Sequence, residues 1–230
     1  MPERIFSFHR FPFTPAVLAF VLLFSTGATA ALDGELYENL EPIPGAKAAL
    51  AEIDPQADFT VFKRVKLLDT CVAFRSGWDS DQRRGGSRMR ISQSEVERIK
   101  TDVAELFREV MTDALEADDG YQVVDEAGDD VLLLRPAIID LDIVSPDGMG
   151  TGRGASFSAE TGSATLYIEL YDSLSNQILG RAADRQTIRN AGNITTWSNQ
   201  ASNRAEARRL FSDWAQALRG FLDSHYMDDE

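Results

Sequence analysis

Between Ala164 and Tyr171 apolar and polar positions alternate without a break. Ala164, Leu166, Ile168 and Leu170 point one way, and Thr165, Tyr167, Glu169 and Tyr171 the other. A period of two predicts a strand with one face on a core. Asp172 to Asn176 then supplies turn residues whose short polar side chains can bond their own backbone. A second run begins at Gln177, passes Arg181 and extends to Ile188, so the pair reads as a long hairpin. Gly180 inside the return strand marks a bulge or a closely approaching neighbour.

The same reading predicts one continuous strand from Phe62 to Phe74, with Val65, Leu67, Asp69, Cys71 and Ala73 on one face. Its second half is apolar enough to be buried on both faces, which makes Cys71 a small buried hydrophobe. Val131 to Val144 is a further strand, in which Pro136 marks an edge or a bulge and Asp140 and Asp142 share a face. Between these strands, Ser92 with Glu95, or Ser94 with Glu97, forms a capping box. The stripe Val96, Ile99, Val103, Leu106, Phe107, Val110, Met111 and Leu115 then predicts a long helix, ended at Asp118-Asp119-Gly120. Tyr121 to Val124 reads as a short strand. A final helix, from about Ser202 to Ser224, has Leu210, Phe211, Trp214, Leu218, Phe221 and Leu222 on its apolar face. The order implies an α/β (α+β) two-layer sandwich, a mainly antiparallel sheet with two long amphipathic helices on one face.

The N-terminus changes the picture. Arg4 and Arg10, the apolar run Ala16 to Phe24 and the small residues Ala28-Thr29-Ala30 read as a signal peptide over residues 1–30, cleaved after Ala30. The apolar run is far short of the about 20 residues that span a bilayer, and no other stretch approaches that length. Residues 31–58, with Pro42, Pro44 and Pro55, read as an arm lying along the domain, with at most a helical turn or two from Ala46 to Glu52. Residues 59–225 form the single domain and 226–230 an acidic tail. Removing residues 1–30 takes one acid and two arginines, so the net charge moves from −14 to −15. That charge opposes nucleic-acid binding, which relies on basic side chains to displace counterions.

Cys71 is the single cysteine, so no intramolecular disulfide can form. His9 leaves with the signal and His225 lies where helix ends fray, which leaves no base for a Ser-His-Asp or Cys-His site. Histidine- and cysteine-based metal sites fail on the same ground, and no cofactor site is expected. Gly150 to Ala155 matches a loose dinucleotide fingerprint, but a strand follows it where the motif needs a helix. The carboxylates Asp140, Asp142, Asp172 and Asp184 are candidates for acid–base work or for oxygen ligation of a hard cation, with Asp140, Asp142 and Asp184 carried forward. For binding, Trp78, Arg83, Arg84 and Arg88 in the loop Arg75 to Arg90, with Trp197 in a second polar loop, are the candidates. Arginine forks suit carboxylate and phosphate. Trp78 is either an exposed contact or a lid over the core.

The stretches Ile53 to Phe74, Leu132 to Pro146, Gly162 to Arg185 and Arg208 to Asp223, in that order and spacing, resemble the bacterial domain-of-unknown-function family 3313. The resemblance implies an α/β domain of the cell envelope with no assigned activity. Lipoprotein relatives carry a cysteine just after the signal, where this chain has Ala30-Ala31, so free periplasmic residence is expected. The resulting expectation is an exported, non-catalytic accessory or binding protein whose partner is an envelope protein or a cell-wall component. The alternative is a carboxylate-dependent hydrolase acting on the cell wall, and a third reading is a small apolar ligand held between sheet and helices.

Overall fold

The computed structural model describes residues 37–78, 80, 92–143, 160–189 and 200–226, apart from the side chains of 160–162, 188–189, 200–203 and 226. All lie in the compact unit Leu36–Glu230. Eight strands form one sheet: β1 (Glu41–Pro42), β2 (Leu50–Ile53), β3 (Arg64–Leu67), β4 (Cys71–Phe74), β5 (Gln122–Val123), β6 (Val131–Ile143), β7 (Glu160–Asp172) and β8 (Ile178–Arg189). The helices are α1 (Gln93–Glu116) and α2 (Gln200–Tyr226). The strand order is β1-β2-β8-β7-β6-β3-β5, with β4 also paired to β6. The sheet is mixed: β3 and β4 run parallel to β6, and β5 parallel to β3, while the remaining pairs are antiparallel. The fold is therefore α+β.

The β7–β8 hairpin follows its alternation. Ala164, Leu166, Ile168 and Leu170 enter the core, and Asp172 Oδ1 holds the turn by accepting from Leu174 N (3.0 Å), Ser175 N (2.7 Å) and Ser175 Oγ (2.9 Å). Gly180 serves both expected purposes. It lies beside a register shift, and a Cβ there would come within 3.0 Å of the Glu52 carbonyl on β2.

Several expectations need correction. The strand Phe62–Phe74 is two strands, because Leu68 to Thr70 breaks the run. Val65 and Leu67 face the core before the break and Val72 after it, an odd spacing that reverses the alternation. Cys71 is therefore exposed rather than buried. Within the stretch read as an arm, Leu50–Ile53 forms β2 rather than helical turns, because the free edge of β8 offers backbone partners from Gly180 to Ala183. Pro136 lies inside β6, which has partners on both sides. It sits where the outer edge of β6 passes from β3, ending at Leu134, to β4, beginning at Ala137, so no ladder bond is lost.

Ser92 is the N-cap of α1 and accepts from Glu95 N at 3.1 Å. Phe107, Met111 and Leu115 of α1 and Phe211, Trp214 and Leu222 of α2 share one core with Leu132, Leu134 and Ile138 of β6. Burying each such side chain contributes about 1.5–3 kcal/mol. Past α1, Asp118 and Asp119 adopt left-handed φ values of 50° and 55°. Arg219 of α2 then bonds the carbonyls that α1 leaves open, Leu115 at 3.0 Å and Ala117 at 2.9 Å. His225 is not frayed: its ring packs 4.4 Å from Phe221 and 5.5 Å from Phe59. Among the described residues no helix is long and apolar enough to cross a membrane.

Candidate functional site

The second set of positions along β7 builds a charged row across the sheet. Register places Glu169 directly between Arg135 of β6 and Arg181 of β8, and Arg181 opposite Glu52 of β2. Read across four strands, the charges alternate. Glu169 is only 4% exposed, which a carboxylate tolerates only when its lone pairs are occupied. Tyr37 Oη donates to its Oε1 at 2.5 Å and Tyr167 Oη to the same oxygen at 2.9 Å. Tyr171 Oη donates to Oε2 at 2.9 Å, and Arg135 Nη1 lies 3.5 Å from that oxygen. Arg181 Nε donates to Glu52 at 2.6 Å while its guanidinium stacks 3.9 Å over the Tyr37 ring. Tyr37 is thus fastened to the sheet from two sides.

A carboxylate offers about four acceptor positions, and four donors surround Glu169. A general base must keep a lone pair for its substrate, so this cluster binds chain to chain. Burial first, and then the hydrogen bond to Glu169, pushes the Tyr171 phenol up to about 12. Tyr37 and Tyr167 are raised as well, with burial the largest cause for each. Phenols held neutral in the fold ionise near about 10 once unfolded. Their contribution is complete below about pH 10 and is lost as pH rises through the folded values. Urea midpoints measured between pH 8 and 12 should fall steeply above pH 10, and Tyr171→Phe should flatten that fall.

The residues nominated from sequence do not converge. Asp140 sits at a bulge in β6 with φ 51°, which breaks the shared face expected with Asp142. Asp140 lies 3.9 Å from Arg185, and Asp142 accepts from Arg75 Nε at 2.9 Å. Asp184 accepts from Trp214 Nε1 at 2.8 Å and Gln186 Nε2 at 2.7 Å. Each carboxylate is drawn to a different partner. Trp78 is 2% exposed, stacks 4.0 Å from Phe74 and donates Nε1–H to the Ile143 carbonyl at 2.7 Å, which is the lid rather than the exposed contact. Arg83, Arg84, Arg88, Trp197 and Ala30 lie outside the described residues.

Around Trp78 a groove of about 260 Å³ opens beside β4 and the first turns of α1. Val72, Phe74, Trp78 and Val96 give it an apolar floor, and Arg75 and Lys100 stand at its rim. In sequence, Arg83, Arg84 and Arg88 fall between Trp78, which lines this groove, and Ser92, the N-cap of α1. A second groove, of about 220 Å³, lies between α1 and α2, where Arg208 donates to Glu109 at 2.7 Å. Sequence reasoning missed Glu169, Arg135, Arg181 and Tyr37. The available signal was a charged residue inside each of three adjacent predicted strands, Arg135, Glu169 and Arg181, although the first and third strands carry other charges too.

No curated protein matches the chain. Among solved structures it is similar to protein XCC0632 of Xanthomonas campestris, at 12% identity and TM-score 0.40, over 77% of this chain and 92% of that one. It is also similar to the PelC dodecamer of Paraburkholderia phytofirmans, at 8% and 0.38, over 71% and 91%. A third likeness is a putative neuraminyllactose-binding hemagglutinin homolog of Helicobacter pylori, at 13% and 0.34, over 82% and 95%. TM-scores below 0.5 leave these likenesses without bearing on function. The sequence match is broader in kind: the model of the family described as "Protein of unknown function (DUF3313)" matches residues 34–218, and the chain belongs to that family.

Proposed function

We propose that the chain is a non-catalytic binding protein of the bacterial envelope, exported to the periplasm by residues 1–30 and meeting its partner at the groove beside β4. The observation that carries this reading is the placement of that groove. Its apolar floor is flanked by Arg75 and Lys100, paired with Asp142 and Glu97, and lies beside β4 and α1, which Arg83, Arg84 and Arg88 separate in sequence. An acidic, extended segment of a partner protein suits such a surface, since arginine forks pair with carboxylates and the half-buried Phe74 and Val96 supply apolar area. The helices are read as one layer on one face of the sheet, which leaves the β4 edge open beside α1. Residues 59–225, with β2 added at the far edge, are read as the single working domain.

The hydrolase alternative requires two carboxyls facing one cleft, and Asp140, Asp142 and Asp184 turn to different partners. Phe107, Met111, Leu134 and Ile138 fill the space between sheet and helices, which weighs against a small apolar ligand there. Crosslinked capture from envelope extracts tests the proposal. The triple replacement Arg83→Ala, Arg84→Ala and Arg88→Ala should lower partner recovery about tenfold or more, as loss of anchor residues does. Unchanged recovery would remove the loop and groove from the reading.

A further inference from the structure

The face of the sheet that carries the charged row has one corner free of Tyr37. There Cys71 and Ala73 of β4 are exposed, and Cys71 lies in register beside Ala137 of β6. Two residues on, Ile139 is 37% exposed, one of three large hydrophobic side chains so placed among the described residues. Along β6 this small apolar patch is bracketed by opposite charges. Arg135 precedes it with its side chain 65% exposed, and Asp140 follows with 55%. Inside the chain Arg135 lies 3.5 Å from Glu169 and bonds Tyr171, and Asp140 lies 3.9 Å from Arg185.

The order along β6 is positive, apolar, apolar, negative. Turned end for end, that order becomes negative, apolar, apolar, positive, which is its own complement. We infer that this corner is an isologous interface for a second copy of the chain, built on Arg135, Ala137, Ile139 and Asp140 with Cys71 and Ala73 beside them. A two-fold axis crossing β6 between Ala137 and Ile139 sets each Arg135 against the Asp140 of the other copy. The apolar residues then meet at the centre, and a C2 contact requires such self-complementarity. Two sheet faces pack at about 10 Å, a gap that small residues such as alanine and cysteine leave unobstructed. The backbone adds a second indication. Asp140 is held at φ 51° by the β6 bulge, and bulges re-aim side chains where a sheet has a task at its surface. The patch carries one charge of each sign per copy, so the chain's net charge of −14 is not concentrated there. The corner meets the partner groove at Ala73, which lines both, but Arg135, Ile139 and Cys71, on which the test acts, do not line the groove.

Sedimentation equilibrium of the natively produced protein should show a monomer–dimer equilibrium. Ile139→Glu and, separately, Arg135→Glu should each raise its dissociation constant by about tenfold or more. Ile139 is exposed, so unchanged circular dichroism and melting temperature should accompany the loss in Ile139→Glu. Arg135 also faces the buried Glu169 carboxylate, so Arg135→Glu should lower the melting temperature while leaving the circular dichroism in place below it. A bis-maleimide with a span of about 10 Å, comparable to the sheet separation, should join two copies through Cys71 and fail to do so in Ile139→Glu. Monomer at every concentration overturns the inference. So does a dimer that both substitutions leave intact, or one whose Cys71 thiols are never joined, since either uses another face.

Discussion

Glu169→Ala should lower folding stability by about 3 kcal/mol, toward the lower end of the range for breaking a buried charged cluster. The substitution deletes the acceptor of three phenols at once. Tyr171 is itself only 8% exposed and would be left with a buried hydroxyl facing a void, a loss of about 1–3 kcal/mol. Tyr37 and Tyr167 are half-buried and recover part of their hydration. Arg135, 65% exposed, returns to water at little cost, which keeps the total below the upper end. The damage should spread to the sheet edge, because Tyr37 loses its bond while Arg181 still stacks on its ring. Urea denaturation measures the first effect. A double-mutant cycle between Glu169→Gln and Tyr37→Phe measures the second, with a coupling of at least about 0.5 kcal/mol expected for directly bonded residues. A loss below about 1 kcal/mol for Glu169→Ala would mean that the row is not structural.

Gly120→Ala should cost a similar amount, about 3 kcal/mol, although it adds one methyl group. Gly120 follows the end of α1 at φ −72° and ψ −136°, and its surroundings leave no room for a side chain. A Cβ would fall on Arg219 Nη1 and on the Leu115 carbonyl. The Leu115 carbonyl, which is backbone and accepts from Tyr121 N at 2.8 Å, must shift, and the arginine, a flexible side chain, must leave. It takes with it the bonds to Leu115 and Ala117 and its position 5.3 Å over Tyr121. Overpacking costs about 1–3 kcal/mol, and lost hydrogen bonds from a charged donor about 1.5–3. Adding Arg219→Met to Gly120→Ala should cost little more than Gly120→Ala alone, since the arginine has already been displaced. Full additivity in denaturant titrations would contradict this.

The parts of the fold legible in sequence were those whose signals are local. Alternation from Ala164 to Tyr171 gave the hairpin face, and the turn was readable because Asp172 bonds residues only two and three ahead. The break between β3 and β4 was hidden, since Leu68-Asp69-Thr70 contains no glycine or proline and continues an apparent alternation. β2 was hidden because Leu50–Ile53 becomes a strand only against the edge of β8, some 130 residues later in the chain. Family membership was legible from the order of several segments, as the match over residues 34–218 shows.

The charged row failed to appear for a related reason. A glutamate between two tyrosines on a strand reads as a solvated face, and nothing local distinguishes it from one. Its burial depends on Tyr37, 132 residues away, and on arginines brought alongside by register in β6 and β8. The candidate aspartates misled in the opposite direction. Asp140 and Asp142 share a face only in an unbroken strand, and the bulge at Asp140 separates them.

The measurement that bears most directly on the proposed function is quantitative capture of the proposed envelope partner, compared across three single-site changes. Val96→Asp places a charge in the floor of the groove, and Asp in the first turn of a helix is compatible with its dipole. Leu174→Asp alters the exposed tip of the hairpin, at the opposite end of β6 from the groove. Glu169→Gln perturbs the charged row. Binding at the groove predicts that Val96→Asp lowers recovery about tenfold or more, as loss of a buried anchor does. Leu174→Asp and Glu169→Gln should then retain recovery in proportion to the folded protein present. Full recovery with Val96→Asp, or loss confined to Glu169→Gln, would contradict it.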